Sequence, residues 1–492
     1  MSESQKEFWF IVGSQLLYGE EVLQTVEKRA LEITAHLNNS ENISCKIVYK
    51  DTIKTSDGVD NIIKEANYQD NCIGIITWCH TFSPSKMWIN GLRSLQNPWC
   101  HLATQYNREI PNEKINMDFM NLNQAAHGDR EHGFIGTRLR SSRKVIAGYW
   151  QDENTQKRID DWMRVAAGVD FSKNLRVMRF GDNMREVGVT EGDKVEAQLK
   201  FGWQVNTWPV GLLAETINQV TDAEVEEILK QYREDYEINT DNIESIRYQA
   251  RTEAAMEKLF KEHNCNAFSN TFQDLYGMEQ LPGIASQNLM KKGYGYAGEG
   301  DWKTSAMTAI IKAMGAGKSG GSSFMEDYTY HLEQGRELTL GSHMLEICPS
   351  IASGNAKIEV HELGIGGRNP PARLVFEGKE GAAVVVSLVD MGGRMRLICQ
   401  DVECIKPIMP MPNLPVARVM WHTYPDLYTG LECWILAGGA HHTVLSYDVT
   451  AEQMRDFADI ADIEFIHIGK DTTVEKLQDH LFLMDTAWKL NK

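Results

Sequence analysis

Short apolar runs alternate with stretches of helical periodicity over the first 150 residues. The runs FWFIVG (8–13), CKIVYK (45–50) and CIGIITWC (72–79) predict buried strands, and apolar positions between residues 20 and 37 recur at the spacing of one helix face. Strand and helix in strict succession are typical of a parallel sheet covered on both faces. We therefore predict an N-terminal α/β domain over residues 1–170.

The same alternation restarts after a polar helix predicted near residues 153–168. Further short apolar runs predict three more strands, and the charged segment 222–263 predicts two long helices. The strand runs are LRVMRFG (175–181), WQVNTWPV (203–210) and CNAFSN (265–270). A second α/β domain over residues 171–323 follows, closing at the Gly/Ser-rich run GAGKSGGSS (315–323).

Beyond residue 324 the pattern changes to short β-rich runs separated by Gly, Pro and Asp, which is typical of an antiparallel sheet or barrel. The runs are AKIEVHEL, ARLVFEG, AAVVVSLVD, RMRLICQDVE, RVMWHTY, CWILAGG and HHTVLSYDV. Two helices, at about 450–461 and 473–489, are predicted to close the chain. We predict a C-terminal β-rich domain over residues 324–492.

Charge and cysteine usage restrict the function classes. A formal net charge of -18 argues against nucleic acid or an anionic membrane surface as a partner, because both require a basic surface. The N-terminus carries only a five-residue apolar run, which predicts neither a signal peptide nor a membrane span. The nine cysteines include no C-x-x-C pair, as expected for reduced thiols in a cytoplasmic protein.

The segment LPGIASQNLMKKGYGYAGEGDWKT (281–304) surrounds one carboxylate, Glu299, with glycines and small residues. Such a setting lets the backbone approach a ligand closely, which indicates a functional site. GYGYAG (293–298) matches G-x-G-x-x-G, but no preceding strand or βαβ unit frames it, so a dinucleotide site is not predicted. GAGKS (315–319) lacks the first glycine of a phosphate loop, because Lys312 stands at that position.

The second half of the chain offers a set of potential metal ligands. They are Glu299, then Glu326 or Asp327, then His343, then His441 or His442. They are too far apart in sequence to form a local metal motif. If they converge, two carboxylates and two imidazoles suit Mn²⁺ or a similar divalent ion and leave coordination positions for substrate oxygens, which points to catalysis.

Six ordered motifs resemble those of the bacterial L-arabinose isomerases, and the resemblance covers essentially the whole chain. They are GSQLLYG (13–19), LNQAAHGDREHGFIG (122–136), the segment 281–304, SFMEDYTYH, GSHMLEICP and AGGAHHTVLS. The resemblance implies a cytoplasmic homohexamer with two α/β domains and a β-rich domain. It implies conversion of L-arabinose to L-ribulose in arabinose catabolism, with one Mn²⁺ per subunit.

The resemblance also implies roles for particular residues. The implied metal ligands are Glu299, Glu326, His343 and His442, with His441 beside them. The implied sugar contacts are Gln15, Leu17 and Tyr18 of the first strand-to-helix turn, with Gln124 and His127 directed toward a neighbouring subunit's site. At position 132 this chain has His where the resemblance leads us to expect an aromatic residue.

Aldose–ketose conversion removes a proton from C2 and returns one to C1. We hypothesise a 1,2-enediol route in which Glu299 and Glu326 act as acid and base, with a hydride shift as the alternative. Rival interpretations are an isomerase of another sugar such as L-fucose or D-galactose, a non-catalytic sugar-binding protein, and a dehydrogenase that rests only on the G-x-G-x-x-G match.

Overall fold

A computed structural model describes residues 6–490 in two compact units, which divide between Asp170 and Phe171. The first unit contains a five-stranded parallel sheet of order β2-β1-β3-β4-β5. Its strands and helices are β1 (Glu7–Gly13), α1 (Glu20–Asn38), β2 (Lys46–Ile53), α2 (Ser56–Tyr68), β3 (Cys72–Cys79), α3 (Ile89–Ser94), β4 (Trp99–Ala103), α4 (Met117–Leu122), α5 (Ala125–Arg138), β5 (Lys144–Ala147) and α6 (Glu153–Lys173).

Both faces of this first sheet are buried, as the sequence pattern predicts. Phe10 and Val12 of β1 pack in one core cluster with side chains of α1 and α6. Trp9 and Ile11, which alternate with them, pack in a second cluster with side chains of α2 and α5. The period of two along a strand therefore produces two cores, and the parallel α/β prediction is confirmed.

The second unit begins with a four-stranded parallel sheet of order β10-β9-β6-β7. Strand β8, Glu237–Ile238, lies outside this sheet and pairs in parallel with residues 357–358. This part of the unit contains β6 (Arg176–Phe180), α7 (Lys194–Phe201), β7 (Gln204–Trp208), α8 (Val210–Gln219), α9 (Asp222–Asp235), β8 (Glu237–Ile238), α10 (Ile243–His263), β9 (Ala267–Asn270), α11 (Ile284–Lys291), β10 (Gly295–Ala297) and α12 (Trp302–Met314).

A closed antiparallel sheet follows in the order β15-β18-β11-β12-β17-β16, with β16 pairing back to β15 and β19 added parallel to β16. This part contains β11 (Ser322–His331), β12 (Leu338–Ser342), β13 (Lys357–Val360), β14 (Ala372–Val375), β15 (Gly381–Asp390), β16 (Met395–Ile405), β17 (Arg418–Thr423), α13 (Leu427–Ala437), β18 (His442–Ser446), α14 (Ala451–Ala461), β19 (Glu464–Ile468) and α15 (Val474–Leu490). The prediction of an antiparallel, barrel-like sheet is confirmed.

One strand prediction is wrong. The run CWILAGG, residues 433–439, ends helix α13 rather than forming a strand. An apolar run that is this short carries no periodicity that separates strand from helix. The deciding signal lies upstream, where the side chain of Asp426 accepts a hydrogen bond from the backbone N–H of Thr429 and caps the helix.

Within residues 6–490, no helix combines the length and apolar character needed to cross a membrane.

In the second unit, buried residues of the parallel sheet and of the closed sheet belong to one core cluster; Phe268 of β9 and Phe324 of β11 are examples. The carboxyl edge of the parallel sheet can therefore hold its loops at a fixed distance from the closed sheet.

Candidate metal centre

Glu299 lies in the loop between β10 and α12, at the carboxyl edge of the parallel sheet. Its backbone has φ +62°, a left-handed conformation that a glutamate rarely adopts. Hydrogen bonds fix this loop, because the Glu299 carbonyl accepts from Met184 N at 2.9 Å and Gly300 N donates to Asn270 O at 3.0 Å. Gly300 itself has φ +76°, and a Cβ there would lie 2.5 Å from the Asp182 carbonyl oxygen. The loop holds the carboxylate in one strained position.

The closed sheet supplies the other predicted ligands from three neighbouring strands. Strand β11 lies between β18 and β12, and Glu326 of β11 is paired with His442 on one side and with Ser342 on the other. His343 directly follows Ser342. Directly opposed residues of an antiparallel pair project from the same face of the sheet. The register thus places Glu326 beside His442 on one face of the sheet, and His343 follows the end of the adjacent strand β12.

Two of these side chains, His343 and His442, lie close enough to Glu299 to share an ion with it. One ligand atom each from Glu299, His343 and His442 lies within 4.8 Å of the others. His442 Nε2 is 3.7 Å from Glu299 Oε2, and it is buried without a hydrogen-bond partner among the described residues. A buried, unpartnered imidazole nitrogen facing a carboxylate is an arrangement that a divalent cation satisfies. Glu326 lies outside this group of three and is half-buried.

Each imidazole is oriented by a second carboxylate. His442 Nδ1 is 3.2 Å from Asp301 Oδ2, and His343 Nδ1 is 2.6 Å from Glu346 Oε2. With Nδ1 donating to a carboxylate, the Nε2 lone pair is available to a metal, which is the usual environment of ligating histidines. The residues present therefore fit a divalent ion.

Sequence reasoning did not identify these two orienting carboxylates. Asp301 stands two residues after Glu299 and carries a recognisable signal, since Asp is a favoured N-cap residue directly before a helix. Its side chain accepts from Thr304 N at 3.2 Å and Oγ1 at 2.8 Å. Glu346 follows His343 by three residues, a spacing that carries no signal of its own.

Charges around the cluster favour an anionic Glu299. The hydrogen bond that His441 Nε2 donates to Glu299 Oε2 at 3.4 Å lowers the pKa of Glu299, and the imidazoles of His442 and His343 lower it further. Burial opposes ionisation of Asp301, but the ammonium of Lys303 and the contact with His442 hold its pKa at about 2. Burial also opposes protonation of His343, yet the Glu346 carboxylate raises the pKa of His343.

The two pairs left open by the sequence differ in position. His441 is partly exposed and contacts Glu299, whereas His442 is fully buried and belongs to the group of three. Asp327 stands next to Glu326 on β11 and is paired with Gly341. Burial and the neighbouring Glu326 charge raise the pKa of Asp327 to about 7.

The residues for which the resemblance implies sugar contacts lie in the first unit. Gln15 follows β1, and the Tyr18 hydroxyl donates to Gln124 Oε1 at 3.0 Å. Gln124 N donates to the carbonyl of His80 at 3.1 Å, so this loop also lies at the carboxyl edge of the first sheet. The ring of His127 stacks on Phe82 at 4.3 Å. Leu17 is 84 % exposed.

The fold and the cluster define an α/β protein with a candidate divalent-metal centre at the carboxyl edge of a parallel sheet, the edge at which such sheets bind small ligands. Family models describe the chain in three consecutive parts. They are the L-arabinose isomerase N-terminal domain over residues 2–174, the central domain over 176–317 and the C-terminal domain over 321–464. The chain belongs to the L-arabinose isomerase family.

Curated relatives agree with this assignment over nearly their full lengths. The L-arabinose isomerase of Geobacillus stearothermophilus is 51 % identical over 489 residues, covering 98 % of both chains. Those of Thermotoga neapolitana and Bacillus subtilis are 51 % and 50 % identical and cover 99 % of both chains. The family resemblance predicted from the motifs is confirmed.

Proposed function

We propose that this protein is an aldose–ketose isomerase that converts L-arabinose to L-ribulose in arabinose catabolism. The observation that carries the proposal is the group formed by Glu299, His343 and His442, with the buried Nε2 of His442 unpartnered. The names of the full-length relatives support the choice of substrate. The nine free cysteines support a reducing compartment, and we infer a cytoplasmic enzyme.

We further propose one Mn²⁺ per subunit, held by Glu299, Glu326, His343 and His442. Two oxygen and two nitrogen donors suit Mn²⁺, whereas a closed structural zinc site would be built from thiolates. A bound divalent ion polarises a carbonyl oxygen and stabilises negative charge developing on adjacent oxygens. Glu326 belongs to the set because its register position is opposite His442.

The protein's own groups would move the protons. We propose that one of Glu299 and Glu326 removes the C2 proton of the open-chain aldose and that the other returns a proton to C1, while the O2 proton is transferred to O1. The hydrogen bond from His441 keeps Glu299 anionic and able to act as a base. Turnover of C2-deuterated L-arabinose tests the route, because label retained at C1 without solvent exchange would favour a hydride shift.

Glu299→Gln and Glu326→Gln test the two carboxylates. We expect each variant to lose activity while keeping the circular dichroism of the wild type. Glu333→Gln is a matched control, because Glu333 lies just after β11 and its exposed side chain pairs with His331 and Arg336, outside the metal cluster. Full turnover by either test variant would remove that residue from the mechanism.

We propose that Gln15, Leu17 and Tyr18 contact the sugar and that Gln124 and His127 reach the site of a neighbouring subunit in a homohexamer. Light scattering measures the number of subunits. Mixed oligomers of His127→Ala and Glu299→Gln subunits should regain activity that neither parent shows, if a site combines residues of two subunits. Mixing that restores nothing would contradict the shared site.

Two rival functions have direct assays. Relative turnover on L-arabinose, L-fucose and D-galactose separates the proposed substrate from other sugars, because pocket shape sets hydroxyl selectivity. Treatment with EDTA followed by Mn²⁺ separates an isomerase from a non-catalytic sugar-binding protein. We expect activity to be lost and then recovered, and sugar binding without any turnover would support the binder.

A further inference from the structure

A second cluster of metal-binding side chains lies in the first unit. Cys79 ends strand β3, His101 lies in the adjacent strand β4, and Asp129 lies on helix α5. One ligand atom from each of the three lies within 4.8 Å of the others. The thiol and the imidazole are buried, whereas the Asp129 side chain keeps 19 % of its surface exposed and so leaves a path from solvent.

The close approach of α5 to the end of β3 depends on a glycine. A Cβ on Gly128 would lie 2.7 Å from Cys79 Cβ and 2.8 Å from the carbonyl oxygen of Thr81. Only glycine allows this contact without displacement. The next residue on the helix is Asp129, whose Oδ1 reaches His101 Nε2 at 3.0 Å. The helix is thus positioned so that its carboxylate meets the sheet's imidazole and thiol.

A chain of polar contacts lies behind the cluster. The Ser85 hydroxyl is 3.2 Å from the Ser83 carbonyl oxygen and 3.3 Å from His132 Nδ1. The hydroxyl of Thr77 is 3.3 Å from His132 Nε2. Each hydroxyl has one hydrogen to donate and can also accept, so His132 has a partner at both ring nitrogens in either neutral tautomer.

The Thr77 hydroxyl also holds the ring of His101. Thr77 Oγ1 is 2.9 Å from His101 Nδ1, and it also lies 3.4 Å from the Cys100 carbonyl. When Thr77 accepts from His101 Nδ1–H, the Nε2 lone pair faces the Asp129 carboxylate at 3.0 Å, and a cation between the two atoms relieves their repulsion.

We propose that Cys79, His101 and Asp129 bind a zinc ion, with the fourth tetrahedral position open to solvent. Binding forms bonds from Cys79 Sγ, His101 Nε2 and an Asp129 oxygen, and it releases the thiol proton and any proton shared by His101 and Asp129 to water. A thiolate and a carboxylate neutralise a divalent ion in this buried place. Thr77, as the acceptor for Nδ1–H, orients the imidazole.

The second site differs from the Glu299 centre in its donors. The Glu299 group consists of one carboxylate and two imidazoles, whereas the Cys79 group includes a sulfur donor, which favours softer ions such as Zn²⁺, Co²⁺ and Cd²⁺ over Mn²⁺. His132, which contacts Thr77 behind this site, is the position at which the chain departs from the aromatic residue expected from its resemblance. The two centres can therefore be loaded with different metals.

Cobalt titration tests the proposal without relying on catalysis. Full-length protein is stripped with EDTA, loaded with Mn²⁺ and titrated with Co²⁺, while the near-ultraviolet sulfur-to-cobalt charge-transfer band is recorded. We expect the band to saturate at one ion per chain in the wild type and in Cys72→Ser, a control that removes a buried thiol at the other end of β3. We expect Cys79→Ser to lose the band.

Asp129→Asn gives a second test at a partly exposed position where folding should be preserved. We expect it to weaken cobalt binding about tenfold or more. Replacing a ligand should reduce metal affinity at least as much as replacing a residue that only hydrogen-bonds to a ligand. Zinc should raise the melting temperature of the wild type and of Cys72→Ser but not that of Asp129→Asn. A wild type without the band, a band that persists in Cys79→Ser, or wild-type affinity in Asp129→Asn would each overturn the site.

Discussion

Replacing Glu346 by Gln tests whether the carboxylate behind His343 tunes the proposed metal centre. Glu346 is buried, its Oε2 lies 2.6 Å from His343 Nδ1 and 3.1 Å from Leu345 N, and its Oε1 accepts from the Tyr296 hydroxyl at 3.0 Å. Gln keeps the shape and an acceptor for His343, but it removes the negative charge. The histidine therefore keeps its orientation and loses basicity.

The magnitude follows from the type of hydrogen bond that is lost. Hydrogen bonds to charged groups contribute about 1.5–3 kcal/mol and neutral ones about 0.5–1.5 kcal/mol. A loss of about 1.4 kcal/mol corresponds to about tenfold in affinity. We therefore expect Glu346→Gln to weaken Mn²⁺ binding about tenfold. Glu346→Ala also removes the hydrogen-bond acceptor that orients the His343 ring, and we expect it to weaken binding up to about a hundredfold.

Isothermal titration of Mn²⁺ into EDTA-treated protein without sugar measures this loss directly. Glu359→Gln is the matched control, because Glu359 Oε2 forms a comparable 2.7 Å pair with His361 Nε2 outside the metal cluster. We expect its Mn²⁺ affinity to equal that of the wild type. Equal affinities for wild type, Glu346→Gln and Glu359→Gln would refute the reasoning that the carboxylate tunes His343.

Three further outcomes are expected. The ring of Phe324 lies 4.9 and 5.0 Å from the imidazoles of His343 and His442. Phe324→Ala should lower the free energy of unfolding, measured in urea, by about 3–5 kcal/mol, and a loss below about 1 kcal/mol would contradict its packing role. Gly300→Ala should lower the melting temperature, because its φ is +76° and its Cβ would clash with a backbone oxygen; an unchanged melting temperature would refute that strain. Burial raises the pKa of Glu253, so unfolding free energy should fall as pH rises from about 4.5 through the folded-state pKa, and Glu253→Gln should remove that decline. Glu257 is the control, since hydrogen bonds from Lys292 lower its pKa despite burial, and its contribution should instead be lost below about pH 4.5.

The regular elements were predictable where periodicity was long and regular. Strand β1 and helix α1 have the ends expected from the sequence to within one residue, because most of their apolar positions are buried on defined faces. The pairing of β8 with β13 was not predictable, since two residues at 237–238 carry no period. Sheet closure through β15 and β16 likewise depends on long-range pairing that no local pattern encodes.

The proposed ligand set could be predicted as residue types and not as geometry. Carboxylates and imidazoles in small-residue or apolar settings indicated a metal centre, yet only the register of β11 with β18 and β12 brings Glu326 beside His442 and next to the end of β12, which His343 follows. The Cys79 group was missed because its members belong to three different elements of the first unit. No linear spacing links a strand end, a neighbouring strand and a helix.

Asp301 connects the start of helix α12 to the candidate metal centre. The same carboxylate caps the helix through Thr304, lies 3.8 Å from the buried Lys303 ammonium and contacts His442 Nδ1. An N-cap must have a non-helical backbone, and this requirement ends the strained loop that begins at Glu299. One side chain therefore caps the helix, ends the loop that contains Glu299 and orients the His442 imidazole. A change that disturbs the helix cap should therefore also move His442, the imidazole that Asp301 contacts.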